Sequence, residues 1–294
     1  MKNEPLLSED LVRKLNSLML SVRTPSGDTY RGRRRGPLMG TSVEFADIRN
    51  YAMGDDFRQI DWNAFARLER LFVRLYSADQ GLRVSILLDT SRSMLWGQPS
   101  KVDFAKRIAI ALAYVGIMSD DRVSIVGFSD KIHSYLPGRG GRISMKRVVN
   151  FVSELPVGGR TDLNIVLEEI DKYKPRPDLV VILTDLLGFN GYQSGLRSLG
   201  RRKQEVVLIQ VLSSDEIEPT FSGNIDLLDD EEEISVGVMA TSSEISNYRN
   251  RLNKFISDAS EFCKKHRIIF GQLRSDLSIE EVVLRFLNRT GILV

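Results

Sequence analysis

Apolar positions along this chain change their pattern near residue 82. Beyond it, apolar runs of strand length alternate with amphipathic stretches of helix length, as expected of a parallel sheet covered on both faces. The runs predict strands at 83–89, 122–128, 179–184, 205–212 and 268–273, with an edge strand at 132–136. Helical spacing predicts helices at 101–118, 144–155, 163–173, 194–202, 243–265 and 279–288. The run from Ile108 to Met118 is apolar on nearly every side, so its helix should be sandwiched rather than surface-lying. Upstream, Ser8 followed by Glu9 and Asp10 reads as a helix start, and Leu11, Val12, Leu15, Leu18 and Met19 share one face. Arg31-Gly32-Arg33-Arg34-Arg35-Gly36-Pro37 has no apolar period and reads as a loop.

The chain therefore divides into an N-terminal extension, residues 1–79, and an α/β domain, residues 80–294, with a doubly wound, mostly parallel, Rossmann-like sheet. Residues 214–240 interrupt the alternation with nine acids and no lysine or arginine. The segment suits a hairpin turning near Asp229–Glu233, either a solvated guard for a sheet edge or a docking surface for a basic partner.

Charge narrows the partners. The 294 residues carry 41 Lys plus Arg against 39 Asp plus Glu, a net +2 that gives the whole molecule no polyanion preference. Residues 1–80 hold 13 basic and 11 acidic side chains, so the small excess lies in the leader. The start has no apolar stretch behind a basic head, and the run ending at Met118 falls short of the roughly 20 residues of a spanning helix, so a cytoplasmic location without a membrane span is expected. The single cysteine, Cys263, makes no internal disulfide and reads as a small buried apolar side chain.

Three segments place oxygen-bearing side chains where a site would form. In Ile86-Leu87-Leu88-Asp89-Thr90-Ser91-Arg92-Ser93-Met94, an acid ends a buried strand and two hydroxyls follow at alternate loop positions. Val180-Val181-Ile182-Leu183-Thr184-Asp185 ends a second strand in an acid, and Gly158-Gly159-Arg160-Thr161-Asp162-Leu163 presents a hydroxyl before a helix. In an open doubly wound sheet of strand order 3-2-1-4-5-6, the strands ending at Asp89 and Asp185 are neighbours where the order reverses, the place where ligands collect. An all-oxygen cage there suits magnesium, with manganese as an alternative; the ion takes about six oxygens and tends to keep waters. A helix cap and ordinary loop polarity are the plainer reading of Asp89, Ser91 and Ser93, and Thr161 also suits the N-cap of the helix that follows it.

Asp89-x-Ser91-x-Ser93 with Thr161 and Asp185 resembles the metal-ion-dependent adhesion site of von Willebrand factor A domains. That resemblance implies Asp89, Ser91 and Ser93 as the first loop of ligands, Thr161 as the second and Asp185 as the third, some acting through water. Leu186 and Leu187 stand where a glycine often follows the third-loop acid. A narrower resemblance covers nearly the whole chain. Gly40-Thr-Ser-Val-Glu44-Phe45-Ala-Asp47-Ile-Arg49-Asn-Tyr51-Ala-Met-Gly54-Asp55-Asp56-Phe-Arg58-Gln-Ile-Asp61-Trp62, then Ala66-Arg67 and Leu71-Phe-Val-Arg74, is similar to the signature of a bacterial family catalogued as domain of unknown function fifty-eight. The run beginning at Glu205, Phe221-Ser-Gly223 and Tyr248-Arg-x-Arg-Leu-x-x-Phe255 fit the same family, whose members carry a von Willebrand-type domain. Many members have membrane-spanning segments ahead of the signature, and none is visible here. The family is commonly encoded beside MoxR-type AAA+ ATPases, which implies an adaptor role toward one.

Glu44, Asp47, Arg49, Asp55, Asp56, Arg58, Asp61 and Arg67 read as an ion-pair network pinning the leader, with a second acidic site at Asp55, Asp56 and Asp61 as the rival. Catalysis has little foothold, since no Gly-x-Ser-x-Gly, Walker A or zinc-ligand string occurs and the two histidines, His133 and His266, read as structural or exposed. A magnesium-dependent phosphohydrolase with Asp89 as nucleophile is the enzymatic alternative, but Ser91 stands where the common phosphatase loop has a second acid. Nucleic-acid binding through Arg31, Arg33, Arg34 and Arg35 is a third reading, set against a balanced charge and few nearby aromatics. The expectation is a non-enzymatic, metal-dependent protein-interaction module.

Overall fold

The computed structural model describes residues 9–16, 18, 20–23, 29–31, 34–36, 44–53, 57, 60–138, 145–173, 176–200, 204–219, 223–229 and 234–282. In chain order they form α1 (Glu9–Leu15), β1 (Ser21–Arg23), β2 (Thr29–Arg31), β3 (Arg34–Gly36), β4 (Glu44–Asn50), α2 (Trp62–Leu68), β5 (Phe72–Gln80), β6 (Arg83–Asp89), α3 (Lys101–Met118), β7 (Arg122–Phe128), β8 (Ile132–Leu136), α4 (Met145–Ser153) and α5 (Leu163–Glu169). There follow β9 (Leu179–Thr184), α6 (Gln193–Gly200), β10 (Glu205–Leu212), α7 (Ser214–Ile217), β11 (Gly223–Asp229), β12 (Ile234–Ala240), α8 (Ser242–Lys265), β13 (Ile269–Arg274) and α9 (Ile279–Glu281). Short 3-10 turns lie at Arg92–Leu95 and Ile170–Lys172.

Two compact units result, Arg33–Gly81 on one hand and Met1–Gly32 with Leu82–Val294 on the other. This corrects the boundary drawn at residue 80, which kept residues 1–79 together. The reason is packing: Leu11, Leu15 and Leu20 are buried in one cluster with Ala105, Ile108 and Leu112 of α3, and the Tyr114 hydroxyl donates to Asn16 Oδ1 at 2.6 Å. Local pattern finds the amphipathic helix but not its partner.

The larger unit is built on a sheet of order β13-β10-β9-β6-β7-β8, parallel except for the antiparallel edge strand β8. Counted within this sheet the order is the expected one, and β6 and β9 are neighbours in register from Val84↔Leu179 to Leu88↔Leu183. β9 is buried at every residue, as a strand covered on both faces must be. Ile86 and Leu88 pack on one face with α1, α3 and α4, whereas Leu87 packs on the other with α5, α6 and α8. The Ser100 hydroxyl starts α3 by accepting from Asp103 N–H, and the helix is buried around most of its circumference.

β11 and β12 pair as the antiparallel hairpin considered for the acidic segment; its turn residues and side chains lie outside the described residues. Residues 283–288, expected to continue the last helix, also lie outside them. Among the described residues no helix is long and apolar enough to cross a membrane.

The smaller unit holds the antiparallel sheet β3-β5-β4 and α2. Asp61 Oδ1 caps α2, accepting from the N–H groups of Asn63 and Ala64 at 3.0 and 3.1 Å. The segment read as an arginine-rich loop instead contains parts of two strands: β2 pairs with β1, and β3 pairs with β5 through Arg34↔Gln80. Its composition lacks a strand signal, and the pairing with β5 is non-local.

Candidate functional site

β6 ends in Asp89, whose side chain is fully buried beneath the loop that follows. Its Oδ1 accepts from Ser91 N–H at 3.0 Å, and its Oδ2 accepts from the Thr184 hydroxyl at 2.6 Å across the β6–β9 junction. The Thr161 hydroxyl lies 3.3 and 3.5 Å from the two carboxylate oxygens. Ser91 Oγ and Ser93 Oγ are 3.1 Å apart; Ser91 is buried and Ser93 half-buried. Asp89 and Thr161 thus touch, and the Ser91 backbone joins the serine pair to Asp89.

These hydroxyls are not consumed by helix capping. Ser91 heads the 3-10 turn without a side-chain cap bond, and α3 is capped by Ser100. Asp162 caps α5 through Ile165 N–H at 3.1 Å, which corrects the expectation that Thr161 would share that role. The loops are tied together by Gly158 N–H to Thr90 O at 2.7 Å and Arg92 N–H to Gly159 O at 3.0 Å. Gly159 has φ +82°, a left-handed conformation that favours glycine. Gly188 backs onto Thr161 so closely that a Cβ there would lie 2.8 Å from the Thr161 carbonyl oxygen.

Asp185 is placed differently from the other four residues. Its Oδ2 accepts from Lys101 Nζ at 2.9 Å and its Oδ1 from Leu187 N–H at 3.0 Å, so each oxygen has a partner other than the hydroxyls around Asp89. Lys101 also donates to Glu216 Oε1 at 2.6 Å, while Glu216 Oε2 accepts from Ser213 N–H in the capping box of α7. Leu186, next along, adopts φ +65° although it is buried and not glycine. A left-handed non-glycine residue costs of order 1–3 kcal/mol, which the surrounding loop must offset.

Burial, and next the charge of Asp185, push the Asp89 carboxyl up to about 7, while the Thr184 hydroxyl and Ser91 hold it back. Burial opposes the charge on Lys101, but Asp185 and Glu216 outweigh it and raise that ammonium above its ordinary value. His133 lies 2.8 Å from Thr90 Oγ1 through Nε2 and 2.9 Å from Ser134 Oγ through Nδ1. Burial lowers its pKa, with Asp130 opposing, which favours the neutral ring.

Sequence reasoning missed Thr184, Lys101 and Glu216. Thr184 was visible only as the residue before a strand-end acid. Lys101 carried a better signal, because a cation in the first turn of a helix opposes the helix dipole and needs a compensating anion.

Among the described residues no group of three or more His, Cys, Asp or Glu side chains could hold a metal ion. A cation here would depend on hydroxyl oxygens beside the one carboxylate of Asp89. Such a neutral-rich, all-oxygen set fits a hard divalent ion that retains water.

Of the residues expected to pair in the leader, Asp61 is the cap of α2 and Arg67 is exposed on that helix. Asp55, Asp56 and Arg58 lie outside the described residues, as do the side chains of Glu44, Asp47 and Arg49 on β4. Arg33 and the side chains of Arg31, Arg34 and Arg35 also lie outside them.

Comparison with known proteins finds a match over residues 47–259 to the family described as "Protein of unknown function DUF58". Uncharacterized proteins of Mycobacterium bovis and Mycobacterium tuberculosis are 28% identical to this chain over 226 residues, covering 75% of it and 71% of their own length. Among solved structures, the conserved hypothetical protein BatB from Bacteroides thetaiotaomicron is similar at 17% identity and TM-score 0.48, over 71% of this chain and 98% of that one. Proximal thread matrix protein 1 from the mussel byssus, described with a zinc-occupied MIDAS motif, is similar at 17% identity and TM-score 0.35, over 59% of this chain and 47% of that one.

Proposed function

This chain belongs to the DUF58 family of proteins of unknown function, and we propose that its α/β domain is a von Willebrand factor A-like module that captures a partner's carboxylate through a bound divalent cation. The observation that carries this reading is the meeting of Asp89 with Thr161, beside the Ser91–Ser93 hydroxyl pair, at the C-terminal end of the sheet. Asp89, Ser91, Ser93 and Thr161 would hold the ion, magnesium by the chemistry of the donors and manganese as its substitute. The ion would supply positive charge and an open position for an incoming anion. Asp185 would contribute through its charge, with Oδ2 held by Lys101 and Oδ1 by Leu187 N–H.

The module is proposed to bind without catalysing. Ser91 offers a poor general acid beside Asp89, and His133 is turned toward Thr90 and Ser134. The family resemblance implies a MoxR-type AAA+ ATPase as partner, with this chain as its adaptor. Calorimetric titration with magnesium and with manganese, on the natural chain and on Asp89→Ala, tests the site. Saturable binding lost in the variant is expected; undiminished binding in the variant overturns it.

A further inference from the structure

The loops that bring the oxygens together also carry exposed apolar and basic side chains, and we propose that these form an apolar seat beside the cation position. The seat selects protein segments in which an acidic residue stands next to a bulky apolar one. This rests on the carboxylate-binding reading above and names the partner chemistry that reading leaves open.

Leu95 and Trp96 follow Ser93 closely and are 51% and 54% exposed; Leu187 and Phe189 follow Asp185 and are 45% and 91% exposed. Single exposed apolar residues are common on protein surfaces, but large ones repeated on the loops of one site mark interaction surfaces. Hydrogen bonds and packing join the loops. Arg92 N–H donates to Gly159 O, Gly188 lies against Thr161, and Asn190 Nδ2 donates to Asp162 Oδ2 at 2.5 Å. Asn164 Nδ2 donates to Asn190 O at 2.9 Å, fixing the loop that bears Phe189 onto α5. The Trp96 backbone is held at both ends, its N–H by Ser93 O and its carbonyl by Lys101 N–H, so the indole stands exposed on a fixed support. A seat ordered in advance saves a partner the entropy of arranging it.

Charge decides what the seat accepts. Residues 90–100, 156–161 and 186–193 contain two arginines, Arg92 and Arg160, and no lysine, aspartate or glutamate. Both arginines are exposed. With a cation held beside them, the surface favours an anionic ligand, and exposed aromatic and aliphatic side chains favour one with an apolar neighbour. An acidic, apolar protein segment meets both demands.

The test is selection of a displayed random dodecapeptide library on the full chain in magnesium, repeated in manganese. The expected result is enrichment of peptides with Asp or Glu within two positions of Trp, Phe or Leu, released by EDTA. A synthetic peptide made from the enriched sequence should bind at least about tenfold more weakly to Trp96→Ser and to Phe189→Ser, at unchanged circular dichroism. Replacing its apolar residue with Ala should weaken it similarly. EDTA-sensitive enrichment of acids without apolar neighbours, or full affinity in both serine variants, overturns the seat and leaves the carboxylate site standing. Peptides that survive EDTA and Asp89→Ala, or no enrichment at all, overturn both.

Discussion

Lys101 Nζ donates to Asp185 Oδ2 at 2.9 Å with both side chains fully buried, and the same ammonium reaches Glu216 Oε1 at 2.6 Å. One cation therefore ties the first turn of α3 to the loops after β9 and β10. It also gives a buried partner to the acid whose charge raises the Asp89 carboxyl. A lysine at this end of a helix is unfavourable alone, so the pairing has to be read from the two anions and not from the helix.

Removing that ammonium leaves two anions, Asp185 and Glu216, without their shared partner. Lys101→Met is expected to lose about 3–5 kcal/mol of stability, the range for breaking a buried ion pair from one side. Urea unfolding at pH 7 measures it. Adding Asp185→Asn to the same chain should restore part of the loss, because the uncompensated charge is then gone; no restoration would show that the lysine matters only for packing.

The Thr184 hydroxyl both donates to Asp89 Oδ2 and accepts from Leu186 N–H at 3.1 Å. Thr184→Val keeps the shape and deletes both bonds, with an expected loss of about 1–3 kcal/mol for the unsatisfied buried groups. Without that donor Asp89 holds its proton more strongly. Magnesium binding by calorimetry at pH 7 should weaken, and raising the pH should recover it.

Asp121 offers a pH test away from the site. Its Oδ1 accepts from Leu82 N–H at 2.7 Å, while its Oδ2 is buried with no hydrogen-bond partner among the described residues. Burial pushes its carboxyl up to about 7, against 3.8 for an unperturbed Asp, with Leu82 N–H opposing and the charges of Asp120 and Asp178 adding. Between those values the folded chain holds a proton that the unfolded chain has released, so this group lowers stability as pH rises from about 4 to 7. The penalty is complete above 7 and relieved below 3.8. Asp121→Asn should flatten that part of the stability profile measured by denaturant unfolding from pH 4.5 to 8; an unchanged slope would refute the assignment.

Cys263 is buried on α8, and burial pushes its thiol up to about 12. Iodoacetamide at pH 8 should leave it unmodified in the native chain and alkylate it in urea, as read by mass spectrometry, because the thiolate is the reactive species.

The strands were legible because each is a short apolar run between turn residues, and a strand buried on both faces leaves little room for another pattern. The same runs place Asp89 and Asp185 at strand ends, and the strand order that makes β6 and β9 neighbours follows from the rules of doubly wound sheets. Capping was less legible. Thr161 and Asp162 both suit the start of α5, and only the bond from Ile165 N–H to Asp162 assigns the cap and leaves Thr161 beside Asp89.

By itself, then, the sequence determined the strands and main helices of the six-stranded sheet and the loops that meet at its C-terminal end, because hydrophobic period and strand-end position are local properties. Tertiary structure alone decided the roles of the acids and of the leader. Lys101 and Asp185 are 84 residues apart, and so no local pattern reveals that the ammonium is the partner of this carboxylate. The burial of α1 against α3 was hidden for the same reason: apolar spacing shows that a face must be covered, while the covering partner is chosen by the folded chain.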